Sequence, residues 1–91
     1  MEASKRIGLW ATVVDDHGRF VSSIGRVLDS GAVLTIRHGT RNASYSSRRL
    51  TKILKNHGLA IMFIPSDLRL PAAPPQLRDD FFFDVETSRI E

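Results

Sequence analysis

Ile7, Leu9, Ala11 and Val13 alternate with Gly8, Trp10, Thr12 and Val14. A period of two puts each set on its own side of an extended chain and gives no helical stripe. The alternation stops at Asp15-Asp16-His17-Gly18, where carboxylates can bond to nearby backbone and glycine can take positive φ. Phe20–Leu28 reads as a second strand, Asp29-Ser30-Gly31 as a second turn and Ala32–Arg37 as a third strand. In that third strand Leu34 and Ile36 face away from Val33 and Thr35. Three short extended runs joined by tight turns predict an antiparallel meander.

The pattern then changes. His38–Ser47 is small and polar and reads as a loop. Over Arg48–His57, Leu50, Ile53, Leu54 and His57 fall at i, i+3, i+4 and i+7, a single helical stripe. Ser46 or Ser47 can cap its start, and Gly58 stands where a helix stops. A helix of about ten residues is marginal alone and needs a surface to pack on. Leu59–Ile64 is apolar without alternation, which predicts a strand buried on both faces. Residues 65–76 hold all four prolines and form a Pro-rich loop. Phe81–Val85 reads as a final strand, and residues 1–6 and 87–91 are expected to fray. The expected fold is mostly β, with α+β as the neighbouring class: one domain over 1–91, a meander with one short helix after the third strand.

With 91 residues and no cysteine, the chain has a small core and neither a disulfide nor a cysteine-based zinc site to reinforce it. Self-association is the simplest source of further burial, so a homodimer is expected. The longest apolar run, Leu59–Ile64, is far below the roughly 20 residues of a membrane span. The N-terminal residues lack the pattern of a secretory signal, so the protein is expected not to be secreted.

The net charge of +3 conceals a polarity along the chain. Arg37, Arg41, Arg48, Arg49, Lys52 and Lys55 occupy residues 37–57 with no acid among them, whereas residues 58–91 are acidic on balance. Such a block can bind phosphate or an acidic protein face. Tyr45 lies within it, and Trp10 and Phe20 lie in the meander, where aromatic rings can stack bases. Three dispersed histidines with no cysteine do not make a zinc ligand set. No nucleophile elbow, phosphate loop or metalloprotease motif is present. The adjacent pairs Asp15/Asp16 and Asp79/Asp80 point to opposite faces of a strand, which suits no acid–base couple. These features predict a non-enzymatic protein with neither metal nor catalytic residues. Phe81–Phe83 and Leu59–Ile64 exceed what a single small core requires, so a second copy or an apolar ligand is expected to cover them.

One family shares this layout. A strand ends in Ile36-Arg37-His38-Gly39-Thr40, followed by a serine-rich stretch and the pair Arg48-Arg49. Leu54 then lies in an amphipathic segment, Ile64 in an apolar strand, and a long loop leads to Leu77-Arg78-Asp79-Asp80-Phe81. Over Leu34–Val85 the chain resembles the small accessory protein encoded in an alternative frame inside the nucleocapsid gene of SARS-type betacoronaviruses. Val14-Asp15 and Arg26–Asp29 are similar only in kind. The Pro74-Pro75 loop, the triple Phe and the longer C-terminus depart from the pattern.

The resemblance implies an intertwined homodimer around an apolar tunnel that holds a fatty-acid or lipid tail. Leu34, Ile36, Leu59, Ile61, Phe63, Phe81 and Phe83 would form that lipid and dimer core. It also implies a protein of the host cytoplasm that associates with the mitochondrial outer membrane and antagonises innate immune signalling by contact with an import receptor. Arg48, Arg49, Leu50, Ile53 and Leu54 would meet the receptor as a helix in its groove. Ser44, Ser46 and Ser47 would be phosphorylation switches beside that segment. Two other readings need no resemblance. One is a small nucleic-acid-binding regulator using the basic segment 37–55; the other is a phage-type protein inhibitor of a macromolecular complex using the same basic face.

Overall fold

The computed structural model describes residues 3–65, 69–73 and 89–90. A 3₁₀ turn at Ala3–Arg6 leads into strands β1 (Trp10–Val14), β2 (Phe20–Asp29), β3 (Val33–His38) and β4 (Arg41–Ser46). Helix α1 (Ser47–Asn56), β5 (Ala60–Ile64) and the two-residue β6 (Arg89–Ile90) follow. The strands form one antiparallel six-stranded sheet in the order β5-β1-β2-β3-β4-β6. The chain is therefore mostly β with one short helix. Of the ends expected to fray, Ala3–Arg6 makes its 3₁₀ turn and Arg89–Ile90 pairs with Tyr45 and Ser44.

Two expectations are corrected. Residues 41–46, read as part of a loop, are β4, so the meander has a fourth strand and the helix leaves it directly. Gly39 at φ +65° is the first of the two residues between His38 and Arg41, the position where a tight hairpin turn favours glycine. Polar residues hold this strand because its backbone pairs with β3 along its whole length, and only Ala43 and Tyr45 turn to the core. On the other face the Thr35 and Ser44 hydroxyls meet across the strands at 3.1 Å. The second correction is β5. It forms an edge of the sheet, not a strand buried on both faces, and Ala60 and Met62 are exposed. Ile61 and Phe63 lie opposite Val13 and Ala11 and face the core, while on the other face only Ile64, opposite Trp10, is buried.

Helix α1 covers the core face. Leu50 and Leu54 are fully buried with Val13, Val27, Leu34, Ile36 and Tyr45. Burial of each leucine contributes about 1.5–3 kcal/mol, which holds a helix too short to stand alone. Ser46 caps the helix, its hydroxyl accepting from the Arg49 N–H at 3.4 Å. At the other end Gly58 (φ +71°) donates to the Lys55 carbonyl at 3.0 Å, and Leu59 donates to the Leu54 carbonyl at 2.8 Å. This paired arrangement is the Schellman motif, with buried Leu54 and Leu59 as its apolar clasp.

The β1–β2 turn is built on Asp15, which is buried. Its carboxylate accepts from the backbone N–H groups of His17 (2.9 Å) and Arg19 (2.8 Å) and from Arg19 Nε at 2.6 Å. Burial pushes the carboxyl pKa up, but the Arg19 and His17 donors and the Arg19 charge outweigh it and hold the pKa below its ordinary value. The unfolded chain therefore takes up this proton first as the pH drops. The stabilisation is present above the ordinary aspartate range and is lost as the pH falls through the folded value. Asp15→Asn is expected to lower the melting temperature at neutral pH and to flatten its acid-side decline. Thermal melts from neutral to acid pH check this; parallel curves for the two proteins would be the contrary result.

Candidate functional site

Between α1, β5 and the β2–β3 turn lies a cleft of about 380 Å³. That volume falls at the small end of ligand sites, which run from roughly 300 to 1,000 Å³. Its apolar lining is Leu34, Leu59, Ile61 and Phe63. Ser47, Thr51 and Lys55 line it from α1; their spacing of four puts them on one stripe, one step round from Leu50 and Leu54. The Ser47 hydroxyl donates to the Gly31 carbonyl at 2.6 Å, and its N–H donates to the Ala32 carbonyl at 3.0 Å. These two bonds fix the start of the helix to the β2–β3 turn, and Ser30 beside them also lines the cleft.

Arg6 reaches the cleft from the N-terminal turn. The Arg6 carbonyl accepts from the Leu9 N–H at 3.0 Å, and Gly8 donates to Val27 at 2.9 Å, which docks the turn on β2. The guanidinium carbon lies 4.6 Å from the centroid of the Phe63 ring. Arg6 Nε is buried without a hydrogen-bond partner.

The residues expected to form a lipid and dimer core divide in three. Leu34, Leu59, Ile61 and Phe63 come together around the cleft. Ile36 is 2% exposed and belongs to the core of the sheet. Phe81 and Phe83 lie outside the described residues. Among the partner-binding residues, Arg48 and Arg49 are exposed and Ile53 is half-buried. Leu50 and Leu54 have no exposed surface, so a partner reaches them only if α1 leaves the sheet. Ser44, Ser46 and Ser47 are half-buried, and their hydroxyls engage Thr35, the Arg49 N–H and the Gly31 carbonyl in turn. A phosphate on Ser46 or Ser47 would displace those bonds at the helix start, where the dipole favours negative charge.

The basic residues lie mainly on the surface. Arg37 and Arg41 flank the β3–β4 hairpin, and Arg48, Arg49, Lys52 and Lys55 project from α1, all exposed. Among the described residues, acidic side chains pair at Asp15–Arg19 and Asp16–His17, both in the β1–β2 turn and away from this surface. The aromatic residues lie elsewhere. Tyr45 is buried in the core, and Trp10 lies under Arg26, whose guanidinium carbon is 5.6 Å from its ring centroid. Trp10, Thr12, Phe20 and Leu70 line a second cavity of about 280 Å³.

Sequence reasoning missed Arg6, Ser30, Thr51 and Lys55 as cleft residues. Arg6 stood in an end expected to fray, and Lys55 read as part of the basic block. The spacing Ser47-Thr51-Lys55 beside the leucine stripe was the available signal. The chain matches no protein-family model, no curated protein and no solved structure.

Proposed function

We propose that this is a non-enzymatic, lipid-tail-binding viral accessory protein of the kind its sequence resembles. It acts as a homodimer and antagonises host innate immune signalling by contact with a mitochondrial import receptor. The observation that carries the reading is the convergence of Leu34, Leu59, Ile61 and Phe63 on one cleft of about 380 Å³. Covering its apolar walls with hydrocarbon instead of water is favourable, and each methylene buried there contributes about 0.8 kcal/mol. The helix adds support: it is short, carries Arg48 and Arg49 outward and presents cations to an acidic groove.

Native mass spectrometry before and after organic extraction tests the proposal. The expected result is a dimer carrying a mass of lipid size that extraction removes. A bare monomer defeats it.

A second reading has one observation of its own, the exposed basic surface that Arg48, Arg49, Lys52 and Lys55 of α1 form with Arg37 and Arg41 of the β3–β4 hairpin. That surface fits the phosphate backbone of a nucleic acid. Because Tyr45 is in the core, contact would be with phosphate rather than by base stacking. Titration against a random oligonucleotide at rising salt separates the readings. Phosphate contacts at many cations make log affinity fall steeply and linearly with log salt, whereas a lipid held by its chain in the cleft depends on salt far less.

A further inference from the structure

We infer that the cleft takes an alkyl chain ending in an anionic group and that Arg6 holds that group. The inference rests on the cleft being a ligand site and adds the chemical class of the ligand. It starts from the unpartnered Arg6 Nε, which is buried in the lining of the cleft. Buried polar hydrogens almost always have an acceptor, and a charged donor without one is costly. Phe63 lies against the guanidinium at 4.6 Å. A ring in that position attracts the cation but supplies no in-plane acceptor, so it leaves the Nε hydrogen unsatisfied.

The rest of the lining points to the same ligand. Lys55 gives a second cation, and Ser30 and Thr51 bring hydroxyls to the same cleft. No acidic residue is among the described lining residues. A guanidinium edge matches the two oxygens of a carboxylate or phosphate. The apolar floor matches an alkyl chain and suits neither a free inorganic anion nor a nucleic-acid backbone. One ligand satisfies both halves: a chain on Leu34, Leu59, Ile61 and Phe63, with its head at Arg6.

Three probes with the same chain and different heads test this on the 91-residue chain by calorimetric titration: decanoate, decyl phosphate and decanol. Decanoate and decyl phosphate are expected to bind about tenfold or more tightly than decanol, the effect of one charge-assisted contact. Arg6→Gln is expected to weaken the two anions by about ten- to a hundredfold and decanol by much less, and Arg6→Lys to retain part of the preference. Equal affinity for decanol and decanoate overturns the inference while leaving the cleft a ligand site. An anion preference untouched by Arg6→Gln overturns the role of Arg6. Failure of all three probes to bind defeats the reading of the cleft itself. The headgroup series on the unsubstituted protein decides the anion question even if the Arg6 variants do not fold. The stronger of the two anions distinguishes a free fatty acid from a phosphate-headed lipid as the natural source.

Discussion

Leu54→Asp is expected to leave no folded protein at neutral pH. Leu54 has no exposed surface and lies in the centre of the cluster between α1 and the sheet. Removing its side chain alone, as in Leu54→Ala, costs about 2–5 kcal/mol through lost burial and the cavity left behind. An unpaired carboxylate in the same place adds several kcal/mol of desolvation. A domain of this size has only about 5–15 kcal/mol in total. Far-UV circular dichroism and a urea titration check both variants: Leu54→Ala with a lower midpoint and unchanged slope, Leu54→Asp with no transition. A cooperative transition for Leu54→Asp would show that α1 is not docked as described. Loss of partner binding by this variant therefore reports unfolding, and the exposed pair Arg48 and Arg49 is the proper place to test receptor contact.

Gly25→Ala is expected to be the most damaging single-methyl change among the described glycines. Gly25 has φ +152°, a backbone that side chains rarely adopt, and lies in β2 where the β1–β2 register shifts. A Cβ there would stand 2.6 Å from the Arg37 carbonyl oxygen and 2.9 Å from Ile36 Cδ1. The first neighbour is sheet backbone and the second belongs to a buried side chain, so neither yields easily. Unfavourable backbone costs about 1–3 kcal/mol and overpacking a similar about 1–3 kcal/mol. The melting temperature should fall by more than about 10 °C. Gly31→Ala is the control, since nothing lies within 4 Å of its Cβ position. It is expected to be neutral or stabilising by about 0.4–1 kcal/mol through the unfolded chain. Equal melts for the two variants would contradict the close approach of β2 and β3 at Gly25.

Local signals made much of this fold legible. The alternation through Val13, the turn at Asp15–Gly18 and the stripe Leu50-Ile53-Leu54 are short-range patterns; the last two became the elements they predicted, and the alternation became β1 from Trp10 on, with Ile7–Leu9 left in a turn. β4 was hidden because Asn42, Ser44 and Ser46 look like a loop, while what makes them a strand is pairing with β3. Leu59–Ile64 misled for the opposite reason: its composition records apolarity, but its edge position depends on which strands assemble beside it. The cleft was half legible. Its floor came from apolar runs, but Arg6 joins it only through the docking of the N-terminal turn on β2, a contact across some twenty residues of chain. No local pattern encodes that.

The join between β4 and α1 contains no spare residue, because Ser46 is both the last strand residue and the helix cap. One residue inserted there would rotate everything downstream by about 100° about the helix axis. Leu50 and Leu54 would swing out of the core, and Arg49 and Ile53 would turn into their places. The Gly39-Thr40 tip has no such coupling, since both residues are exposed and lie beyond the last paired residues of β3 and β4. An epitope tag or a fluorophore-bearing loop therefore belongs at Gly39-Thr40, and the Ser46–Ser47 bond sets the frame that such engineering has to leave alone.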